Sequence, residues 1–288
     1  MKVQEYVLKP KKDFNSTHIF ECGQCFRWNL QESGNYIGVV KNSVIEVIEK
    51  EDEVIFRGVS ESNLKDIVIE YFNLEMNYRE IKNKLSRVDN YLKGSIEFGN
   101  GIRILNQDIF ETIISFIISA NNNIPRIKKI IENLSKNYGK RIEYNGKIYY
   151  TFPTVEDLSK ATVADLRNLG LGFRDKRVYT TTRMILKKEI DIEKLKKLKD
   201  TEKLREEILK LDGVGPKVAD CILLFAFNRY DVFPIDVWVR RVMNDLYIKN
   251  PQESKVSKVE IKKLAEEKYG KLAGLAQQYL FYCKRENG

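Results

Sequence analysis

Lys217 and Asp236 are the residues of this chain whose surroundings most suggest chemistry. Lys217 follows Leu211-Asp212-Gly213-Val214-Gly215-Pro216, and Asp236 closes the segment Val232-Phe233-Pro234-Ile235-Asp236 after an apolar run. Two glycines in a tight turn at a helix start leave backbone amides pointing outward, where phosphate oxygens bind well. A lysine in the first helical turn meets the positive end of the helix dipole, which favours the neutral, nucleophilic amine over the ammonium. Lys217, Cys221 and Phe225 recur every four residues, so they share one helical face. An amine, a thiol and an aromatic ring on one face suit a flat heterocycle. Phosphate grip, amine and carboxylate together point to covalent chemistry on a nucleic acid. Each also has a plain structural explanation when taken alone. Gly-Val-Gly turns recur widely, first-turn lysines are usually solvated, and Asp236 is well placed as an N-cap.

Composition is consistent with that direction. The chain has 288 residues, with 50 Lys+Arg against 41 Asp+Glu and a net charge of +9. A basic balance suits a polyanionic partner, nucleic acid first and an anionic membrane second. No run approaches the roughly 18 apolar residues that a membrane span needs. Met1 to Glu5 lacks the apolar core of a secretion signal. Four cysteines in a chain this long do not make a disulfide framework, so a reducing, intracellular setting is expected. Cys22-Gly23-Gln24-Cys25, with His18 before it, invites a zinc or redox reading. A fourth ligand and a second CxxC are missing, and the pair runs into strand-like Phe26-Arg27-Trp28, so no metal is expected there.

These residues must be positioned by an α+β scaffold. Cys25 to Leu30, Tyr36 to Val40, Val44 to Ile48 and Val54 to Phe56 read as strands of an antiparallel meander. Ser33-Gly34-Asn35 and Lys41-Asn42-Ser43 are its turns. From about Asn63 the pattern is helical. Phe110, Ile113, Ile114, Ile117 and Ile118 form a buried face that ends at Asn121-Asn122-Asn123. Further helices are expected over 124–138, 158–169, 174–188, 201–211, 217–227, 236–247 and 257–283, with a turn at Gly170-Leu171-Gly172. The expected organisation is a sheet domain with trailing helices over 1–100 and a helical body over 101–288, with a helix-hairpin-helix at about 203–226.

The segment 213–221 followed by 232–237 resembles the helix-hairpin-helix-Gly/Pro-Asp superfamily of DNA glycosylases. Gly23-Gln24-Cys25-Phe26-Arg27-Trp28 is similar to the N-terminal motif of the 8-oxoguanine DNA glycosylases within it. So are 121–126, Leu169-Gly170-Leu171-Gly172-Phe173-Arg174 and Ala273-Gly274-Leu275-Ala276-Gln277-Gln278-Tyr279-Leu280-Phe281, in order along nearly the whole chain. The resemblance implies a bifunctional glycosylase and AP lyase of base excision repair. Its Lys217 attacks C1′ while Asp236 assists, and a Schiff base then permits β-elimination. The extruded base is implied to lie between Phe281 and Cys221, with Gln277 on its Watson–Crick edge and the Gly23 carbonyl accepting from N7–H. That last contact separates 8-oxoguanine from guanine, whose N7 is an acceptor. Asn121, Arg126 and Arg174 are implied to contact the orphaned cytosine, and Phe173 to wedge into the vacated stack. Gly213 and Gly215 would admit a DNA phosphate, and carbonyls in the 209–214 turn a monovalent cation when DNA is bound. No organic cofactor, membrane or partner chain is implied: a monomer acting on duplex DNA at the chromosome, cytoplasmic if prokaryotic.

The sequence departs from common relatives at Phe173, where eukaryotic members carry Tyr, at Trp238, where many have His, and at Lys284, where an acidic residue is typical. Iron–sulfur relatives need four closely spaced C-terminal cysteines, and only Cys283 stands there. Alkylation-type relatives lack a lysine at position 217. A non-catalytic DNA-binding protein, or a glycosylase for another damaged base, remains as an alternative. Lys217 speaks against the first, because a binder needs no such amine.

Overall fold

β-Branched runs over 44–48 and 54–56 predict paired strands, and they form the middle of a five-stranded antiparallel sheet. The structure, a computed structural model, describes residues 2–287. The strands are β1 (Val3–Leu8), β2 (Trp28–Leu30), β3 (Tyr36–Val40), β4 (Ser43–Glu49) and β5 (Val54–Val59), in spatial order β1-β5-β4-β3-β2. β1 lies outside the expected meander. It is an edge strand with no fully buried residue, pairing Val3 with Val59 and Val7 with Ile55, so its pattern is weak. The strand expected from Cys25 begins only at Trp28. Residues 22–27 instead form a bend held by Gln24, a fully buried side chain. Its Nε2 donates to the carbonyls of Ile19 and Arg103 at 2.9 and 2.8 Å, and its Oε1 accepts the Leu105 amide at 2.9 Å. A short unexpected helix, Ser16–Glu21, precedes this bend under an Asn15 cap.

One face of the sheet packs an aromatic core. Trp28 stacks on Phe20 with ring centroids 4.1 Å apart, and its Nε1 donates to the Tyr71 hydroxyl at 3.0 Å. Burying an indole with its donor satisfied secures packing without a desolvation penalty. The larger core belongs to the helices. Phe110, Ile113, Ile114, Ile117 and Ile118 are all buried on the helix Ile109–Ser119, as their spacing predicts. Buried residues of Tyr78–Leu85 and Asn90–Phe98 join that core although they precede residue 101.

Glycines and caps shorten several expected helices. The segment 158–169 is two short helices, Val155–Leu158 and Val163–Leu166, the second closed by a Thr162/Asp165 capping box. A wide turn over Arg167–Leu171 follows and breaks at Gly170, φ +99°. The segment 257–283 divides at Gly270, φ +50°, into Lys258–Tyr269 and Ala273–Asn287. The helix from Asp236 runs only over Val237–Met243 before a wide turn. A hairpin of β6 (Arg141–Tyr144) and β7 (Lys147–Tyr150) turns at Asn145-Gly146, both with positive φ.

Candidate active site

The helix-hairpin-helix consists of Thr201–Leu209 and Pro216–Ala226. Between them Gly213 adopts φ +82°, and a β-carbon there would stand 2.8 Å from the Arg177 side chain. Thr181 clamps the turn by donating to the Asp212 carbonyl at 2.8 Å. Gly215 takes the N-cap position without a side-chain cap, and nothing lies within 4 Å of its absent β-carbon. With Pro216 lacking an amide hydrogen, the exposed end of this helix offers its next backbone donors to an approaching anion.

Lys217 extends from that first turn into a cavity of about 750 Å³, which Asp236, Gly23, Asn121 and Phe281 also line. Its Nζ lies 5.4 Å from the centroid of the Phe116 ring. Phe116 in turn stacks on Phe225, centroids 5.5 Å apart and planes 18° from parallel. Asp236 caps the next helix by accepting the Val239 amide at 2.8 Å, so one carboxylate oxygen holds structure while the group faces the lysine's cavity.

A narrower recess of about 40 Å³ opens beside it, lined by Lys217, Cys221, Phe225, Gln277, Phe281 and Gly23 among others. All five expected base-pocket residues therefore converge with both expected catalytic residues. The recess is narrow beside the adjoining cavity, and Gly23, Phe116, Lys217, Asp236 and Phe281 line both. Burial pushes the Cys221 thiol up and the Lys217 charge beside it pulls the other way, so Cys221 is a neutral wall. Gln277 is buried and oriented by Gln278, whose Nε2 donates to its Oε1 at 2.8 Å. Gly23 adopts φ +83°, and a β-carbon would meet Phe281 at 3.3 Å. Only glycine lets that backbone approach the ring so closely. Phe116, Gln278 and Arg285 belong to this site and were not expected. Phe116 sits on a helix apolar nearly all round, which signals burial but not direction.

The rim on the other side is built by two loops. Asn121 has φ +50° and is exposed, and Asn123 caps the helix Ile124–Tyr138, from whose first turn Arg126 projects. Gly170 and Gly172 both have positive φ, and the sharp turn they permit leaves Phe173 55% exposed. Guanidiniums of Arg174 and Arg177 lie 4.2 and 5.5 Å from its ring centroid. Arg174, expected to contact the orphaned cytosine, is engaged within the protein here. It is 1% exposed, and its Nη2 donates to the carbonyls of Ala120 and Asn121, both at 2.6 Å. It ties the two rim loops together, because their carbonyls have no strand or helix partner to satisfy them.

Trp238 stands at the cavity mouth with the Arg241 guanidinium 5.4 Å from its ring, and Lys284 pairs with Asp245 at 3.4 Å. Cys22 and Cys25 are both buried, and burial pushes the Cys22 thiol up to about 12 and Cys25 in the same direction. Metal and redox use require the thiolate, which this environment disfavours. His18 accepts the Gly101 amide at Nδ1, 3.3 Å, while Cys22 and Cys25 donate to the carbonyls of Ile19 and Phe20.

Residues 6–113 match the family model for the N-terminal domain of 8-oxoguanine DNA glycosylase, and residues 114–269 that for the HhH-GPD superfamily of base excision DNA repair proteins. The chain belongs to the HhH-GPD superfamily, in its 8-oxoguanine DNA glycosylase branch. Among similar proteins, a probable N-glycosylase/DNA lyase of Methanothermobacter thermautotrophicus is 34% identical, covering 80% of this chain and 78% of the relative. The N-glycosylase/DNA lyase of Saccharomyces cerevisiae is 32% identical, covering 81% and 68%. A crystal structure of Clostridium acetobutylicum 8-oxoguanine glycosylase/lyase, in complex with double-stranded DNA containing cytosine opposite 8-oxoguanine, superposes with TM-score 0.93 at 46% identity. It covers 100% of this chain and 98% of that one. Among the described residues, no helix is long and apolar enough to cross a membrane.

Proposed function

We propose that this chain is a bifunctional DNA glycosylase and AP lyase that removes 8-oxoguanine from duplex DNA in base excision repair. The observation that carries the reading is the convergence of Lys217 and Asp236 on one cavity with the Gly23, Gln277 and Phe281 recess. The lesion nucleotide leaves the stack and its base enters that recess as Phe281 moves away from Cys221. The Lys217 amine forms a bond to C1′ as the C1′–N9 bond breaks, and the electron pair leaves with the base, which takes up a proton. Asp236 stabilises the positive charge that develops on the sugar, with its carboxylate already held by the helix end. Loss of a proton from nitrogen and ring opening give the Schiff base. Loss of a C2′ proton then expels the 3′ phosphate. Selection for the oxidised base is assigned to the Gly23 carbonyl, which accepts from N7–H and repels the N7 lone pair of guanine.

Exposed Asn121 and Arg126 suit the acceptor edge of an orphaned cytosine, and Phe173 suits the vacated stack. Arg174 serves the same strand through the loops it joins, and direct contact would require it to exchange its carbonyl partners for a base. Gly213, Gly215 and the open helix end hold a phosphate. The residues also fit a monovalent cation there: Asp212's carbonyl is taken by Thr181, whereas those of Leu209 and Val214 accept from no backbone amide outside a helix among the described residues. Such an ion would neutralise phosphate charge at the hairpin. Both reacting groups and the whole recess come from one chain, which supports action as a monomer, and the substrate implies an intracellular location at the chromosome.

Borohydride reduction should crosslink wild-type protein to duplex containing 8-oxoguanine, by reducing the Schiff base. Lys217→Gln should abolish the crosslink and retain binding. An undiminished crosslink in that variant removes Lys217 from the nucleophile's role. Crosslinking that requires a different lesion redirects the reading to another damaged base.

A further inference from the structure

The last helix carries a charged side chain that the reaction above does not use. Arg285 folds back one turn over Phe281, with its guanidinium carbon 5.3 Å from the ring centroid. Its Nη2 donates to the carbonyl of Glu21, the last residue of the helix before the Gly23 bend. Nε and Nη2 also meet the Glu286 carboxylate, at 3.0 and 2.8 Å. The guanidinium is a rigid plane, so these bonds fix the direction of its remaining nitrogen. Nη1 is buried and has no hydrogen-bond partner among the described residues. It lies 3.4 Å from the position a β-carbon would take on Gly23, and Arg285 lines the large cavity with Gly23 and Phe281. A buried donor without a partner carries an energetic penalty that a ligand acceptor can relieve.

If the base enters as proposed, the Gly23 turn meets N7 of the oxidised purine. Carbonyl oxygens flank N7 on both sides, O6 and O8, and both are acceptors that a guanidinium N–H matches. We infer that Arg285 is a specificity-determining residue for the extruded base, its Nη1 donating to a carbonyl oxygen beside N7. Gly23 and Arg285 then present an acceptor and a charged donor side by side, complementary to the N–H and C=O of an oxidised imidazole ring. The inference rests on the 8-oxoguanine reading of the same site.

The test compares two activities of the same protein under single-turnover conditions: excision from an 8-oxoguanine·cytosine duplex, and strand cleavage at a preformed abasic site. The abasic site uses Lys217 and the DNA-binding surface but brings no base. Arg285→Met should slow excision at least about tenfold, the scale of one charge-assisted hydrogen bond. Abasic cleavage should remain within about twofold. Arg285→Lys, which keeps a charged donor, should recover part of the excision rate. The ratio of the two rates is independent of how much protein is folded, so it holds for a destabilised variant. Binding of 8-oxoadenine duplex in the Lys217→Gln background separates O8 from O6. A Met penalty that persists there assigns O8, because that base lacks O6, and one that disappears assigns O6. Equal loss of both activities makes Arg285 a staple for the Glu21 carbonyl and overturns the inference, as does an unchanged ratio. A wild type that cleaves abasic sites yet excises no 8-oxoguanine overturns the activity reading itself, and this inference with it.

Discussion

Replacing Asp236 with Asn separates the two tasks of that residue. Its side chain accepts the Val239 amide at 2.8 Å with the backbone in the extended region, φ −102°. Asparagine keeps an oxygen in that place and caps about as well as aspartate. What is lost is the charge at a helix N-terminus, about 0.3–1 kcal/mol. For a chain of this size about 1 kcal/mol corresponds to roughly 2–4 °C in Tm, so the shift should stay below about 4 °C. Chemistry depends on the charge itself. Removing one preorganised group that faces developing charge lowers the rate about 100- to 1,000-fold, or about 3–4 kcal/mol. Thermal melting and single-turnover excision, measured on the same preparations of wild type, Asp236→Asn and Asp236→Ala, provide the comparison. Ala should melt lower than Asn by about 1 kcal/mol in stability, while both lose excision alike. Excision by Asn within a few-fold of wild type would refute the electrostatic role. So would excision that tracks melting across the three proteins, since a cap alone then explains everything.

The two rim arginines should behave differently. Arg126→Ala should leave Tm within about 1 °C, as for an exposed surface change, and reduce the preference for cytosine over adenine opposite the lesion; an intact preference removes Arg126 from that role. Arg174→Ala leaves the Ala120 and Asn121 carbonyls without their buried partner and should lower stability by about 1–3 kcal/mol, measured by denaturant melts. Gly213→Ala forces an L-residue to φ +82° and should destabilise by about 1–2 kcal/mol and weaken binding even to undamaged duplex; equal affinity in a fluorescence titration would exclude the hairpin from phosphate contact. Burial raises the Glu111 carboxyl from 4.5 to about 7, against the opposing pull of Arg27. The folded chain therefore keeps a proton that the unfolded chain releases, and the stability this confers is full below about pH 4.5 and lost as pH rises through about 7. Glu111→Gln should flatten Tm between pH 5 and 8, and an unchanged slope assigns that dependence to other groups.

That Lys217, Cys221, Phe225 and Asp236 meet at one cavity was legible from local signals, whereas Gly23, Gln277 and Phe281 entered only through the family resemblance. A glycine turn, a first-turn lysine, four-residue spacing and a capping aspartate survive without knowledge of the fold. Cys221 and Phe225 came to the recess as helical period requires. Residues whose role depends on a distant partner were not legible. Arg174 reads as a contact residue until the Ala120 and Asn121 carbonyls are brought to it, and Arg285 reads as one more basic residue in a last helical turn. Gln278 orients Gln277 only because both are buried. Helix limits failed where a glycine with positive φ interrupts an otherwise continuous period, at Gly170 and Gly270. Asn145-Gly146 was a readable hairpin signal that the apolar pattern around it obscured. β1 had no such signal, since an edge strand buries too little to set an alternation.

The 40 Å³ recess also governs how such a protein can search. A pocket standing open would sample every base that breathes out of the helix and would hold normal guanine for as long as its stacking and van der Waals contacts allowed. Where Phe281 must move aside, as proposed above, entry becomes an activated event. Residence on undamaged sequence is then set by the salt-dependent backbone contacts, which permit sliding. Dwell time lengthens only where the base returns enough energy to keep the aromatic gate aside. Recognition in that case is a contrast in lifetimes along the duplex, and a substitution that props the recess open should slow the protein's travel even if it binds the lesion more tightly.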